Sequence, residues 1–174
     1  MLSLKHTALF LLLSMTAGPA FAQKASEYQV KAAFLFNFSK FLEWPAEAMG
    51  QPGAPFVIGV LGNDPFGKYL EEIIAGEKIA DHPMVAKRFE SAEQVDKCHI
   101  LYINKPGKTS EVINALKDKS ILTVSDDSEF ARSGGIIRFF TENEMIHLEI
   151  NVQAAKAANL NVSSKLLRIA KIYE

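Results

Sequence analysis

The chain has 174 residues, enough for one domain with a proper core and too few for two. Its 19 basic and 20 acidic side chains nearly cancel, so there is no electrostatic case for nucleic acid as a partner. Cys98 is the single cysteine, which excludes an internal disulfide.

Residues 1–22 have the build of a cleavable secretory leader. Lys5 and His6 precede the apolar run from Ala8 to Leu13, and Ala20, Phe21 and Ala22 form the small-x-small triplet after which cleavage is expected. The alternative, a membrane anchor, needs about 20 apolar residues in a row. Ser14, Thr16 and Gly18 interrupt the run, and no later segment is long and apolar enough to span. The expected working unit is therefore residues 23–174, exported to a compartment outside the cytoplasm.

Residues 26–44 read as a helix, with Ser26 as N-cap and Pro45 as the stop. At helical spacing Val30, Phe34, Leu35, Phe38, Phe41 and Leu42 fall on one stripe about 140° wide, the width of a core-facing helix. Gln29, Ser39, Lys40 and Glu43 take the other side. Two residues break the pattern. Lys31 lies inside the apolar stripe and is expected to snorkel to water along its stem. Phe36 lies among polar residues; it is either covered by a loop or marks a surface used by a partner.

A Gly/Pro-rich linker at 51–55 leads to the apolar run FVIGVLG at 56–62, a buried strand. A helix near 66–74, a strand at 84–89, a strand at 98–104, a helix near 110–116 and a strand at 121–124 follow. Continuous apolar strands alternating with helices predict a largely parallel sheet covered on both faces. The chain then changes character. Strands at 136–140 and 145–150, separated by TENE, predict an antiparallel hairpin. Ile146, Leu148 and Ile150 alternate with His147 and Glu149, as in a strand with one wet face. Asn151 caps a short helix through 158, and Ser163 or Ser164 caps a final amphipathic helix through 173. The fold class is thus α/β: one domain with a mixed, mainly parallel sheet flanked by helices, a C-terminal hairpin and an amphipathic final helix.

Ligands of open α/β sheets gather at the carboxyl ends of the strands. That edge offers Asn63 and Asp64, then Asn104 and Lys105, then Ser125, Asp126 and Asp127. An acidic cluster with a lysine has the layout of a phosphoacceptor receiver, yet no Asp ends the 98–104 strand. Capping of the following turns is the plainer account. Gly59, Gly62 and Gly67 do not make a dinucleotide fingerprint, and no Walker A string occurs. No G-x-S-x-G elbow is present. Cys98 and His99 are neighbours on a strand, so their side chains point to opposite faces and cannot pair. His82, His99 and His147 lack metal-ligand spacing, so neither metal nor cofactor is expected. On the final helix Lys165, Arg168 and Lys171 recur every three residues, a basic row that is either solvated or able to orient an acidic partner.

Five strings resemble the YfiR/HmsC family of periplasmic proteins: YQVKAAFLFNFSKFLEWP from Tyr28, IGVLGNDPFG from Ile58, CHILYI from Cys98, FARSGGIIRF from Phe130 and HLEINVQAAKAANLNVSSKLLRIAKI from His147. In order along the chain, they span nearly all of residues 23–174, from Tyr28 to Ile172. The resemblance implies a non-enzymatic repressor that binds the periplasmic region of an inner-membrane diguanylate cyclase, keeping cyclic di-GMP and biofilm formation low. It implies an outer-membrane lipoprotein as releasing partner in some members, and homodimers, which the sequence neither supports nor excludes. Some members respond to redox stress through disulfides; Cys98 alone cannot carry that switch. On this reading Phe36, Lys165, Arg168 and Lys171 are the candidate partner contacts. The alternative is a small-molecule sensor with a pocket near Asp64, Lys105 and Asp126. An envelope hydrolase, a third class, lacks a recognisable nucleophile and base.

Overall fold

The computed structural model describes the backbone of residues 19–174 and the side chains of residues 27–174. The predicted leader, with its cleavage point after Ala22, lies outside the residues described with side chains.

Helix α1 runs over Pro19–Phe41 and ends three residues earlier than the proline stop predicts. The reason is tertiary. Leu42–Glu43 (β1) pairs antiparallel with Asn161–Val162 (β9), so the chain leaves the helix to form a small two-stranded sheet. A single turn, Ala46–Met49 (α2), follows Pro45.

The main sheet begins with Phe56–Gly62 (β2). Tyr69–Ile74 (α3) and the short Lys78–Ile79 (β3) lead to His82–Phe89 (β4), which lies on one side of β2. The chain then crosses to the other side of β2 for Ile100–Asn104 (β5), Thr109–Leu116 (α4), Leu122–Ser125 (β6) and Ile137–Glu142 (β7). These five strands are parallel, in the spatial order β4-β2-β5-β6-β7. Met145–Ile150 (β8) returns antiparallel to β7, as the hairpin pattern predicts. Val152–Ala157 (α5) is capped by Asn151, whose side chain accepts from the Ala154 amide.

Alternate residues of the central strands β2 and β5 face different helices, which is why these strands are apolar almost throughout. Phe56, Ile58 and Val60 of β2 join Leu35 and Phe38 of α1 and Leu70 of α3 in one core. Val57 and Leu61 join Val112 and Leu116 of α4 and Phe130 in a second core on the opposite face.

The final helix differs from expectation. Ser163 caps a single turn, Ser164–Leu167 (α6); the chain then extends, and Lys171–Ile172 (β10) pairs parallel with the outer edge of β8. Backbone groups on the β8 edge need partners. The amide of Tyr173 supplies one by donating to the Ile150 carbonyl at 2.9 Å. Helical spacing of Lys165, Arg168 and Lys171 is compatible with the sequence but is not the conformation adopted.

Candidate functional site

The connection from β4 to β5 reverses direction across β2, so the carboxyl ends of the strands meet at a topological switch point, where open α/β sheets hold ligands. A cleft of about 320 Å³ opens at the same end of the sheet, one strand further along, lined by Tyr102, Asn104 and Lys105 at the end of β5 and by Ser125, Asp126 and Asp127 at the end of β6.

Helix α1 completes this end of the molecule. Lys31 does not snorkel: it is 3 % exposed. Its ammonium donates to Asp126 Oδ2 at 2.8 Å and to Glu27 one turn earlier on the helix. It also lies 4.7 Å from the Tyr28 ring centroid and 5.8 Å from that of Phe139, within cation–π range. The Tyr28 hydroxyl donates to the same Asp126 oxygen at 3.3 Å. Asp126 Oδ1 is shut away from water without a hydrogen-bond partner of its own.

These contacts fix the protonation states. Burial by itself would lower the Lys31 pKa, but the hydrogen bonds it donates to Asp126 and Glu27 prevail and raise it. Burial, reinforced by the Asp126 carboxylate, pushes the phenols of Tyr28 and Tyr102 upward, Tyr102 far beyond the ordinary range. Lys31 is held charged and both tyrosines are held neutral across the physiological range. Such a cluster can bind and orient; none of these three groups is tuned to exchange a proton near neutral pH.

Of the predicted ligand residues, the fold brings Lys105 and Asp126 to one cleft and leaves Asp64 out of it. Asp64 Oδ1 accepts from the Phe66 amide at 2.8 Å, the capping role that Asp takes in turns. Its Oδ2 is gripped by Arg88, with Nε at 2.9 Å and Nη2 at 2.7 Å. The same guanidinium reaches Glu71 on α3. The Lys105 ammonium donates to the Glu90 carbonyl at 2.7 Å. Thr109 and Asp127 are joined by a hydrogen bond, tying α4 to the end of β6.

The predicted partner contacts are dispersed. Phe36 is half-buried against the α1 core, with the Lys40 ammonium 4.0 Å from its ring centroid. Lys165 lies on α6 and Arg168 just beyond it, both exposed. Lys171 stands on β10, its ammonium 3.4 Å from Glu149 Oε1; the other oxygen of Glu149 meets Arg138 Nε at 2.9 Å. The three basic residues therefore do not share a helix face.

Cys98 and His99 lie just before β5, which begins two residues later than predicted, and they point into opposite cores. Cys98 packs in the α4 core, where burial pushes its thiol up to about 12. The His99 ring stacks on Phe56 at 4.3 Å, in the other core. Its Nδ1 accepts from the Val57 amide at 3.0 Å, which leaves Nε2–H to donate to the Ala48 carbonyl at 3.1 Å. Burial lowers the His99 pKa, so the ring is neutral.

Sequence reasoning passed over Tyr28 and Glu27 as parts of the site. The available clue was Lys31: a lysine placed where the helix must be buried requires an acid nearby.

A family model described as YfiR/HmsC-like matches residues 28–171. A comparison with curated proteins finds no match.

Proposed function

Because the chain belongs to the YfiR/HmsC-like family, we propose that it is a periplasmic regulatory protein that binds the periplasmic region of an inner-membrane diguanylate cyclase and holds that enzyme inactive. Cyclic di-GMP and biofilm formation then stay low. The family match, which spans the whole domain from α1 to β10, carries this reading. The chemistry around Asp126 supports it: Lys31 is held charged and Tyr102 neutral there, as suits binding. The Cys98 thiol, held protonated in the core, is unsuited to nucleophilic attack or redox sensing. No described helix is long and apolar enough to cross a membrane.

In this reading residues 1–22 are removed after Ala22, residues 23–174 work in the periplasm, and an outer-membrane lipoprotein or a second copy of the chain are further partners. Repression follows from differential affinity. The protein must bind the inactive cyclase more tightly than the active one. Taking the cyclase from almost fully active to almost fully silent requires about 5.5 kcal/mol of such preference. Lys165 and Arg168, exposed near the C-terminus, are the contacts proposed for an acidic partner, with Lys171 and Phe36 as further candidates elsewhere on the molecule.

Deleting the gene and measuring cellular cyclic di-GMP tests the proposal. A rise, reversed by re-expression, is expected, together with capture of a cyclase from membranes by the tagged protein; an unchanged level across envelope conditions would sink it. A second reading, a small-molecule sensor, is favoured by one observation, that Lys105 and Asp126 line the same cleft. Periplasmic metabolites that raise the melting temperature of the native protein but not of Asp126→Asn would support it.

A further inference from the structure

The opposite edge of the sheet holds a larger cavity, of about 560 Å³, at the amino ends of β2 and β5. Its size is within the range of small-ligand sites, about 300 to 1,000 Å³. The floor is apolar, made by Val57, Cys98 and Ile121, and Met49 of α2 stands on one wall. That wall, residues 46–55, is pinned at two carbonyls. His99 Nε2–H donates to Ala48 at 3.1 Å, and His82 Nδ1 meets the Ala54 oxygen at 2.8 Å. The cavity is therefore part of the built fold, with both histidines spending ring nitrogens to hold it open.

Its charged lining is Lys87, Lys97 and Lys119 against Glu47 and Asp96. The Lys119 ammonium is committed to the Val95 carbonyl. Lys87 and Lys97 form no ion pair among the described residues, and both are exposed. Glu47 and Asp96 form no ion pair among the described residues either. Three ammonium groups against two carboxylates leave the lining with one positive charge in excess, which favours an anion there.

We propose that this cavity binds a small amphipathic carboxylate, with its apolar body on Met49, Val57 and Ile121 and its anionic group toward Lys87 and Lys97. The site is separate from the contacts invoked for repression, so the two readings stand or fall independently. Trp44 is the single tryptophan and reports on this end of the molecule. Its indole N–H donates to the His99 carbonyl at 3.2 Å, and its ring meets Phe56 edge-on at 5.1 Å.

The probe is octanoate, titrated into the purified protein by calorimetry and by Trp44 emission, with octylammonium as the control of opposite charge. Saturable octanoate binding that shifts Trp44 emission is expected, at least tenfold weaker in Lys87→Glu/Lys97→Glu and absent for octylammonium. Both lysines are exposed and unpaired, so the double variant should keep the native melting temperature. No saturable binding by either method, equal binding of octylammonium, or undiminished affinity in the double variant would each overturn the proposal.

Discussion

A lysine on the buried stripe of a helix has two physical outcomes: its stem carries the ammonium to water, or the ammonium finds an acid inside. Lys31 takes the second, and Asp126, almost a hundred residues away in sequence, is that acid. Removing a partner strands the other charge, which costs about 3 to 5 kcal/mol for fully buried pairs. Asp126 and Glu27 are each about one-third exposed, and Glu27 stays in place, so the cost here is smaller. Asp126→Ala is expected to lower unfolding free energy by about 2 kcal/mol, read from the urea midpoint at constant m-value. Lys31→Met, which removes the buried charge and keeps the stem, should cost less than Asp126→Ala; a larger loss would show that the ammonium stabilises the fold outright. Cys98 gives a second expectation at this scale. With its thiol pushed up to about 12 and its side chain in the core, it should resist thiol reagents at pH 8 in the native protein. It should react at once in denaturant, and rapid labelling of folded protein would refute the burial. That Lys31 was exceptional is legible in the sequence. Its partner is not, because the pairing depends on where β6 ends relative to α1.

The central strands of the parallel sheet were legible one by one, since a strand covered on both faces is apolar at almost every position. β2, with Val57 and Leu61 in one core and Phe56, Ile58 and Val60 in the other, is the clearest case. Its last residue shows how closely the strands approach at the switch point. Gly62 has φ near +89°, and a Cβ there would lie 2.3 Å from the Asn104 carbonyl oxygen of β5. Gly62→Ala therefore combines left-handed strain with a backbone clash. A loss of about 2 kcal/mol or more is expected in equilibrium unfolding. A loss below about 0.5 kcal/mol would mean that β2 and β5 can part without cost. The C-terminal segment was misread for an equally definite reason. Residues 163–173 carry basic and apolar residues at helical spacing, but only one turn forms. Periodicity reports which side chains share a face; it carries no information about the unpaired backbone of β8, and that edge draws Lys171–Ile172 into a strand.

At the scale of the whole molecule, the two sheet edges differ in how they respond to acid. The amino edge depends on a neutral His99 whose two nitrogens join β2 to the wall at Ala48. Burial lowers its folded pKa below the unfolded value of about 6.5, and His82 acts in the same direction. A depressed histidine stabilises the fold fully above the unfolded pKa. That contribution diminishes as pH falls through about 6.5 toward the lower folded value, because the unfolded chain takes up the proton first. Unfolding free energy is expected to be flat from pH 7 to 8 and to decline below about 6.5, and His99→Asn should flatten that part of the curve. A decline that persists unchanged in the variant would assign it to other groups. At the carboxyl edge Lys31 stays charged and Tyr28 and Tyr102 stay neutral, so these three groups add no titration in that interval.

From residues alone came the α/β class, the parallel strands, the hairpin, the cap at Asn151, and the likeness to a family; each rests on local pattern, on periodicity or on contiguous strings. Which residues meet belonged to the tertiary structure: Lys31 with Asp126, Asp64 with Arg88 in place of the cleft, Trp44 with His99, Lys171 with Glu149. A local pattern is set by the chain's own geometry within a few turns, whereas each of these contacts needs strands far apart in sequence to be stacked in one order. That order follows from the balance of core burial and edge pairing over the whole domain, which no single segment contains.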